Sequence, residues 1–198
     1  MLLICGVVSC CAFILVFLID GWTRPGYSPV RHTISALALG SRGWVQTTNF
    51  LISGTGLIAG GLGVMQAQAN WLFASLLILV GIGLIASGVF AMDPMRGYPP
   101  GTPQTDPVEL SLRHRLHDHA GTVVFFGIPL TAFAAGFAVE GLGANIVAGV
   151  VAAVLVGGVV AFGSAWERDS PVTGLIQKAV VVGAFSWVAG VLLIISLH

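Results

Sequence analysis

The sequence predicts an all-α protein, a bundle of six transmembrane helices with two long polar loops on one membrane face, and three observations carry that prediction. The composition is 56% hydrophobic and only 8% charged, with a mean hydropathy of +0.96, more apolar surface than a soluble fold of this length can hide. From Gly43 to Met92 no residue is charged. As one helix that run would be about 75 Å long against a hydrocarbon core of about 30 Å, so it must be two spans with a turn. Finally, all eight Lys and Arg residues (Arg24, Arg31, Arg42, Arg96, Arg113, Arg115, Arg168 and Lys178) fall in or beside alternate connections.

The first helix is expected at about residues 2–20. It lacks a basic leader, and Asp20 and Arg24 follow the apolar run, so it reads as a retained span rather than a cleaved signal. Cys5, Cys10 and Cys11 within it act as small apolar residues. The second and third helices, at about 45–65 and 71–92, are separated by the polar turn Gln66–Asn70, with Trp71 suited to the interface. The fourth, at about 119–139, contains Pro129, which kinks it. The fifth and sixth, at about 143–165 and 174–197, complete a single integral membrane domain over 1–198. Gly56, Gly60, Gly61 and Gly63, then Gly81, Gly83 and Gly88, then Gly149, Gly157 and Gly158 offer small faces for close helix packing.

Connections 21–44, 93–118 and 166–173, with Lys178 just beyond, hold every basic residue, whereas 66–70 and 140–142 hold none. The positive-inside rule therefore places the basic loops in the cytoplasm and both termini outside the cell membrane. Every acidic residue but Glu140 and every histidine but His198 lies at the same face. Trp22, Trp44, Trp166, Tyr27 and Tyr98 form an aromatic belt there. Asp20…Arg24-Pro-Gly-Tyr27-Ser-Pro29 and Asp93…Arg96-Gly-Tyr98-Pro-Pro100 echo one another, as a helix-pair repeat or as shared juxtamembrane composition.

Ser28-Pro29 is a helix start and Gly40 a stop, which predicts a short interfacial helix over 29–39 presenting Arg31, His32 and Ser35 on its polar side. Asn49, with Gln46, is placed to bond between helices. In the second loop, Asp93 at a helix C-terminus opposes the helix dipole and calls for a cationic partner, Arg96 or Arg31. Arg113-His-Arg-Leu-His117-Asp118-His119 is the densest cluster of functional groups. His114 and His117 share a helical face while His119 points away, poor geometry for a metal site. His117 and Asp118 suit proton transfer or a solvated helix start. Lys178 is close enough to its helix start to snorkel. Walker-type, Gly-x-Ser-x-Gly, His-Glu-x-x-His and Cys-x-x-Cys motifs do not occur.

With Pro25-Gly-Tyr-Ser28, His32-Thr-Ile-Ser-Ala-Leu37, Asn49-Phe50, Asp93-Pro94 and His117-Asp-His-Ala-Gly121 in this order, the chain resembles the six-helix bacterial and archaeal membrane family catalogued as domain of unknown function 998. The resemblance implies a fold and a membrane location; it carries no agreed activity or catalytic residues. The residues themselves lead to one polar site where loops 21–44 and 93–118 fold together, which binds or acts on an amphiphilic small molecule or lipid headgroup. His117, Asp118 and Asp93 are its candidates for catalysis, and Arg31, His32, Ser35, Asn49, Arg96 and Tyr98 its candidates for ligand binding. A permease-like or structural role and a b-type haem or metal protein stay open as alternatives. No metal set and no nucleic-acid partner is expected, the sequence names no cofactor, and it leaves the oligomeric state open.

Overall fold

The computed structural model describes residues 1–139 and 141–197. Glu140, in the expected connection 140–142, and His198, after the last helix, lie outside the described residues. The helices are α1 (Leu2–Thr23), α2 (Gly43–Gln66), α3 (Trp71–Val89), α4 (Leu112–Ala135, extended by a 3₁₀ turn Gly136–Ala138), α5 (Leu142–Glu167) and α6 (Thr173–Ser196). All six are long and apolar enough to cross a membrane. Consecutive helices are neighbours and α6 closes back on α1, so the bundle is a ring.

Two seams of this ring are drawn tight by glycine. Gly54 of α2 and Gly81 of α3 face each other so closely that a methyl on either would strike the other's carbonyl oxygen, and Gly6 of α1 and Gly60 of α2 approach so that a methyl on either would press on the other's Cα. Without a hydrophobic drive between helices in lipid, such approach supplies the dispersion contact that holds them. The fifth helix behaves differently. Only 17% of its apolar window is buried, against 56% for α2, and Gly149 and Gly157, expected to pack, face open space, where an added methyl would have nothing within 4 Å; only Gly158 meets a neighbour, Val180 of α6.

The largest difference from the expected boundaries is at α4, which starts at Leu112 rather than near residue 119. Ser111 is the reason. Its Oγ accepts from the His114 N–H at 3.1 Å while its own N–H and hydroxyl both donate to the Asp93 carboxylate at 2.7 Å, an N-cap that satisfies the first turn. His117 and Asp118 therefore lie inside a helix, not at its threshold. At the other end of this loop, α3 stops at Val89, before Asp93-Pro94.

The first loop forms no 29–39 helix. Turns at 29–32 lead into a short 3₁₀ segment, Ile34–Ala38, because its polar groups are claimed from outside. The Val30 and Arg31 carbonyls accept from the Leu175 and Gly174 N–H groups at the start of α6, at 2.9 and 3.1 Å. The Ile34 N–H donates to Gln177 Oε1 at 2.7 Å. Lys178, expected to reach water, is buried instead, with its ammonium donating to the His32 carbonyl at 2.8 Å and lying over the Tyr27 ring. The loop thus plugs the end of the bundle.

Candidate functional site

Two polar assemblies result at this loop end, one closed and one open. The closed one is a latch built on Asp20 and Arg24, both buried. Arg24 pairs with Asp20 and donates to the carbonyls of Leu37, Leu39 and Arg42 and to the Tyr98 hydroxyl. Arg42 closes the other side of Asp20 at 2.7 Å. Tyr27 and Tyr98, the tyrosines of the two echoing segments, meet edge to face at 5.4 Å, with His32 against Tyr98 at 5.1 Å. The two long loops therefore do fold onto each other.

Several candidate residues belong to this closed part. Arg31, His32, Arg96 and Tyr98 line a small cavity of about 20 Å³ with Asp169 and Trp166. Arg96 is bidentate to Asp106, at 2.7 and 2.8 Å, donates to the Trp166 carbonyl and stacks over the Trp166 ring at 3.9 Å. Asp106 holds the guanidinium protonated above its ordinary value, against the opposing effect of burial. Arg31 pairs with Asp169 at 3.4 Å. Asp93 consequently meets neither arginine. Burial would raise its carboxyl, but the two Ser111 hydrogen bonds and nearby His114 outweigh that and hold it below the usual range, so Ser111 takes the part expected of a cation. Asn49 is buried between helices, donating to the Phe13 carbonyl at 3.2 Å.

The open assembly is a chamber of about 580 Å³ to which all six helices contribute. Phe13, Phe50 and Phe185 form its inner floor, packed with ring centroids 4.8–5.7 Å apart. Its lateral wall is the cleft between α4 and α5, where Phe125 and Phe162 bridge at 4.9 Å. Phe126 and Val160 line it as well and are 68% and 66% exposed, so the chamber opens sideways on the face that lipid covers. Gly121 and Gly163 stand on either side of that cleft, and a methyl on either would have nothing within 4 Å.

At its loop end the chamber carries Ser35, Ser87, His117, Asp118, Glu167 and Gln177. His117 Nδ1 lies 2.7 Å from the Phe90 carbonyl oxygen and 3.3 Å from that of Ser87. Two acceptors at Nδ1 require the proton there, which leaves the Nε2 lone pair to accept from the Ser35 hydroxyl at 3.0 Å. His114 has the opposite tautomer: its Nδ1 accepts from the Asp93 N–H at 2.8 Å, so Nε2 faces Asp118 at 3.3 Å. His119 turns away and bonds the Arg115 carbonyl. With both ring nitrogens of His114 and His117 engaged, these residues do not fit haem ligation, and no group of three His, Cys, Asp or Glu among the described residues is placed to hold a metal.

Sequence reasoning gathers Ser35, His117 and Asp118 with the arginines, but the chamber wall has no Lys or Arg among the described residues. It overlooks Gln177, Phe125, Phe162 and the paired Gly121 and Gly163. Gln177 alone carries a signal, as an amide in an apolar helix.

No curated protein and no solved structure matches this chain. A family model described as a protein of unknown function (DUF998) matches residues 7–194. Spanning nearly the whole six-helix bundle, that match makes the chain a member of the DUF998 family of multi-pass membrane proteins.

Proposed function

We propose that this membrane protein binds an amphiphile, with its apolar chain in the chamber beside α4 and α5 and its head at Ser35, His117 and Asp118. The amphipathic lining carries the reading: an aromatic floor and a wall open to the side, ending in a compact polar group. The volume falls within the roughly 300–1,000 Å³ of small-molecule sites. The charges narrow the head. Asp118 and Glu167 line this end, while Arg31 and Arg96 are engaged by Asp169 and Asp106. A neutral or cationic head suits such a rim, and an anionic one would meet two carboxylates with no Lys or Arg among the described residues lining the chamber. The concentration of basic residues in these loops supports a cytoplasmic position for this head.

Purification of the full-length protein in mild detergent, followed by mass spectrometry of the co-purifying lipids, tests the reading. The wild-type protein should retain an amphiphile. Gly163→Trp should lose most of it by filling the cleft, while Arg31→Ala and Arg96→Ala should keep it. Equal retention in Gly163→Trp, or no amphiphile on the wild-type protein, would overturn the reading.

A further inference from the structure

The Ser35–His117 pair has a geometry that binding alone does not require. We infer that Ser35 is a nucleophile with His117 as its general base, and that the amphiphile is an oxygen ester of a long-chain carboxylic acid, hydrolysed through an acyl-Ser35 intermediate. The inference rests on the amphiphile reading for its substrate.

Three observations carry it. The Ser35 Oγ to His117 Nε2 distance is 3.0 Å, inside the range in which a base can take the hydroxyl proton. His117 is locked in the tautomer this needs, because the Phe90 and Ser87 carbonyls hold the proton on Nδ1; carbonyl oxygens here orient the ring as a carboxylate does in a Ser-His-Asp triad, through their dipoles and without its charge. Both residues also line the chamber, so the hydroxyl is presented where an acyl chain has room. A serine that merely tied the first loop to α4 would not need to face that space. Gln177 adds a donor on the same wall: its Oε1 is fixed by the N–H of Ile34, the residue before Ser35, which leaves the Nε2 hydrogens free of any protein acceptor among the described residues.

The chemistry balances without a cofactor. Ser35 Oγ attacks the ester carbonyl carbon as its proton passes to His117 Nε2, and the Gln177 amide can donate to the developing oxyanion. The adduct collapses with cleavage of the bond to the head-group oxygen, which takes the proton from Nε2. Water then attacks the acyl-Ser35 carbonyl, giving its proton to Nε2, and Ser35 leaves with that proton restored. Ester and water become acid and alcohol, and the new carboxylate is repelled by Asp118 and Glu167, which favours its release.

A long-chain alkyl fluorophosphonate, which phosphonylates activated serines, tests this on the full-length protein in mild detergent, together with turnover of a long-chain 4-methylumbelliferyl ester. Peptide mass spectrometry should place the adduct on Ser35. Ser35→Ala should abolish labelling, and both Ser35→Ala and His117→Asn should slow ester turnover by about 100-fold or more. His117→Asn retains a side-chain donor for the Phe90 carbonyl while removing the base, so its loss is not simply a loss of fold; an unchanged thermal midpoint of Ser35→Ala in detergent provides the second control. If wild type retains the amphiphile but takes no label on Ser35 and turns over no ester, the nucleophile is refuted and the binding reading stands. If wild type retains no amphiphile, the binding reading fails, and labelling at Ser35 alone then decides whether the serine is activated. Label on wild type that persists undiminished in His117→Asn would overturn the role of the base.

Discussion

The seam between α2 and α3 and the cleft between α4 and α5 are built from the same residue type with opposite results. Gly54 and Gly81 bring two backbones into contact; Gly121 and Gly163 stand across a gap that a side chain could enter without touching anything. Glycine in a membrane helix is therefore either a contact or a vacancy, and the position of the neighbour decides which. In this protein the helix glycines of α1–α2–α3 are contacts, whereas α4–α5 mixes contacts at Gly127, Gly136 and Gly158 with vacancies at Gly121, Gly149, Gly157 and Gly163, so one side is a closely packed frame and the other a wall beside a chamber. The latch on Arg24 completes the frame, with its donors engaged, while the chamber's loop end keeps a serine, a histidine and two carboxylates facing open space.

An all-or-none effect tests whether frame and chamber share one polar end. Reporter fusions at Gln68 and Thr105 should lie on opposite sides of the membrane, with Thr105 cytoplasmic; both on one side would break the six-span topology, and Thr105 outside would reverse the orientation.

Removing the latch should give the largest loss of stability. Arg24→Ala leaves Asp20 buried against a single, half-exposed Arg42 and strips the donor from three loop carbonyls, a loss of about 3–5 kcal/mol readable as a lowered thermal midpoint in detergent. A midpoint within a degree or two of wild type would mean that the latch is not part of the frame.

The glycine contrast sharpens the comparison at smaller cost. Gly81→Val forces the α2–α3 seam apart and should cost about 1–3 kcal/mol, whereas Gly157→Val, which meets nothing, should stay within about 0.5 kcal/mol of wild type. Equal losses at the two positions would contradict the assignment of frame and wall.

The smallest effect is pH-dependent. Burial, then the charges of Arg31 and Lys178, hold the His32 imidazole below its ordinary value, and its Nδ1 accepts from the Ser28 N–H at 3.0 Å, a bond that protonation at Nδ1 would destroy. The unfolded chain takes up a proton near pH 6.5 that the folded chain resists. Its contribution to stability is therefore complete above that value and is lost as pH falls through it toward the folded pKa. His32→Gln should flatten the stability profile between about pH 7 and 5 relative to wild type; an unchanged slope would remove His32 as its source.

The spans, their number and the shared loop end were legible in the sequence because hydropathy and the placement of charge depend on the solvent, and the bilayer imposes both. Tertiary pairing was not legible in the same way. Ser111 as the cap of α4 was hidden because the apolar run begins several residues later, so Leu112–Asp118 looked like loop. The sequence shows that Asp93 needs a partner, yet the partner is a neutral N-cap and not an arginine, a choice made by where α4 begins. Ser35 and His117 are both evident in the sequence as chemical groups, but their pairing across 82 residues of sequence depends on how the first loop docks on α6. Gly121 and Gly163 could not be told from Gly54 and Gly81 by sequence at all, since composition does not say whether the facing helix is near.

Photo-crosslinking tests the chamber most directly. The full-length protein in bilayer vesicles is exposed to an acyl-chain amphiphile with a neutral head and a diazirine near the chain terminus, and the modified residues are mapped by mass spectrometry. The account predicts adducts concentrated on Phe13, Phe125, Phe162 and Phe185 and lost in Gly163→Trp. Adducts spread over outward-facing residues such as Leu15, Ile52 and Leu193, and unaffected by Gly163→Trp, would show that the chain stays in bulk lipid and would contradict it.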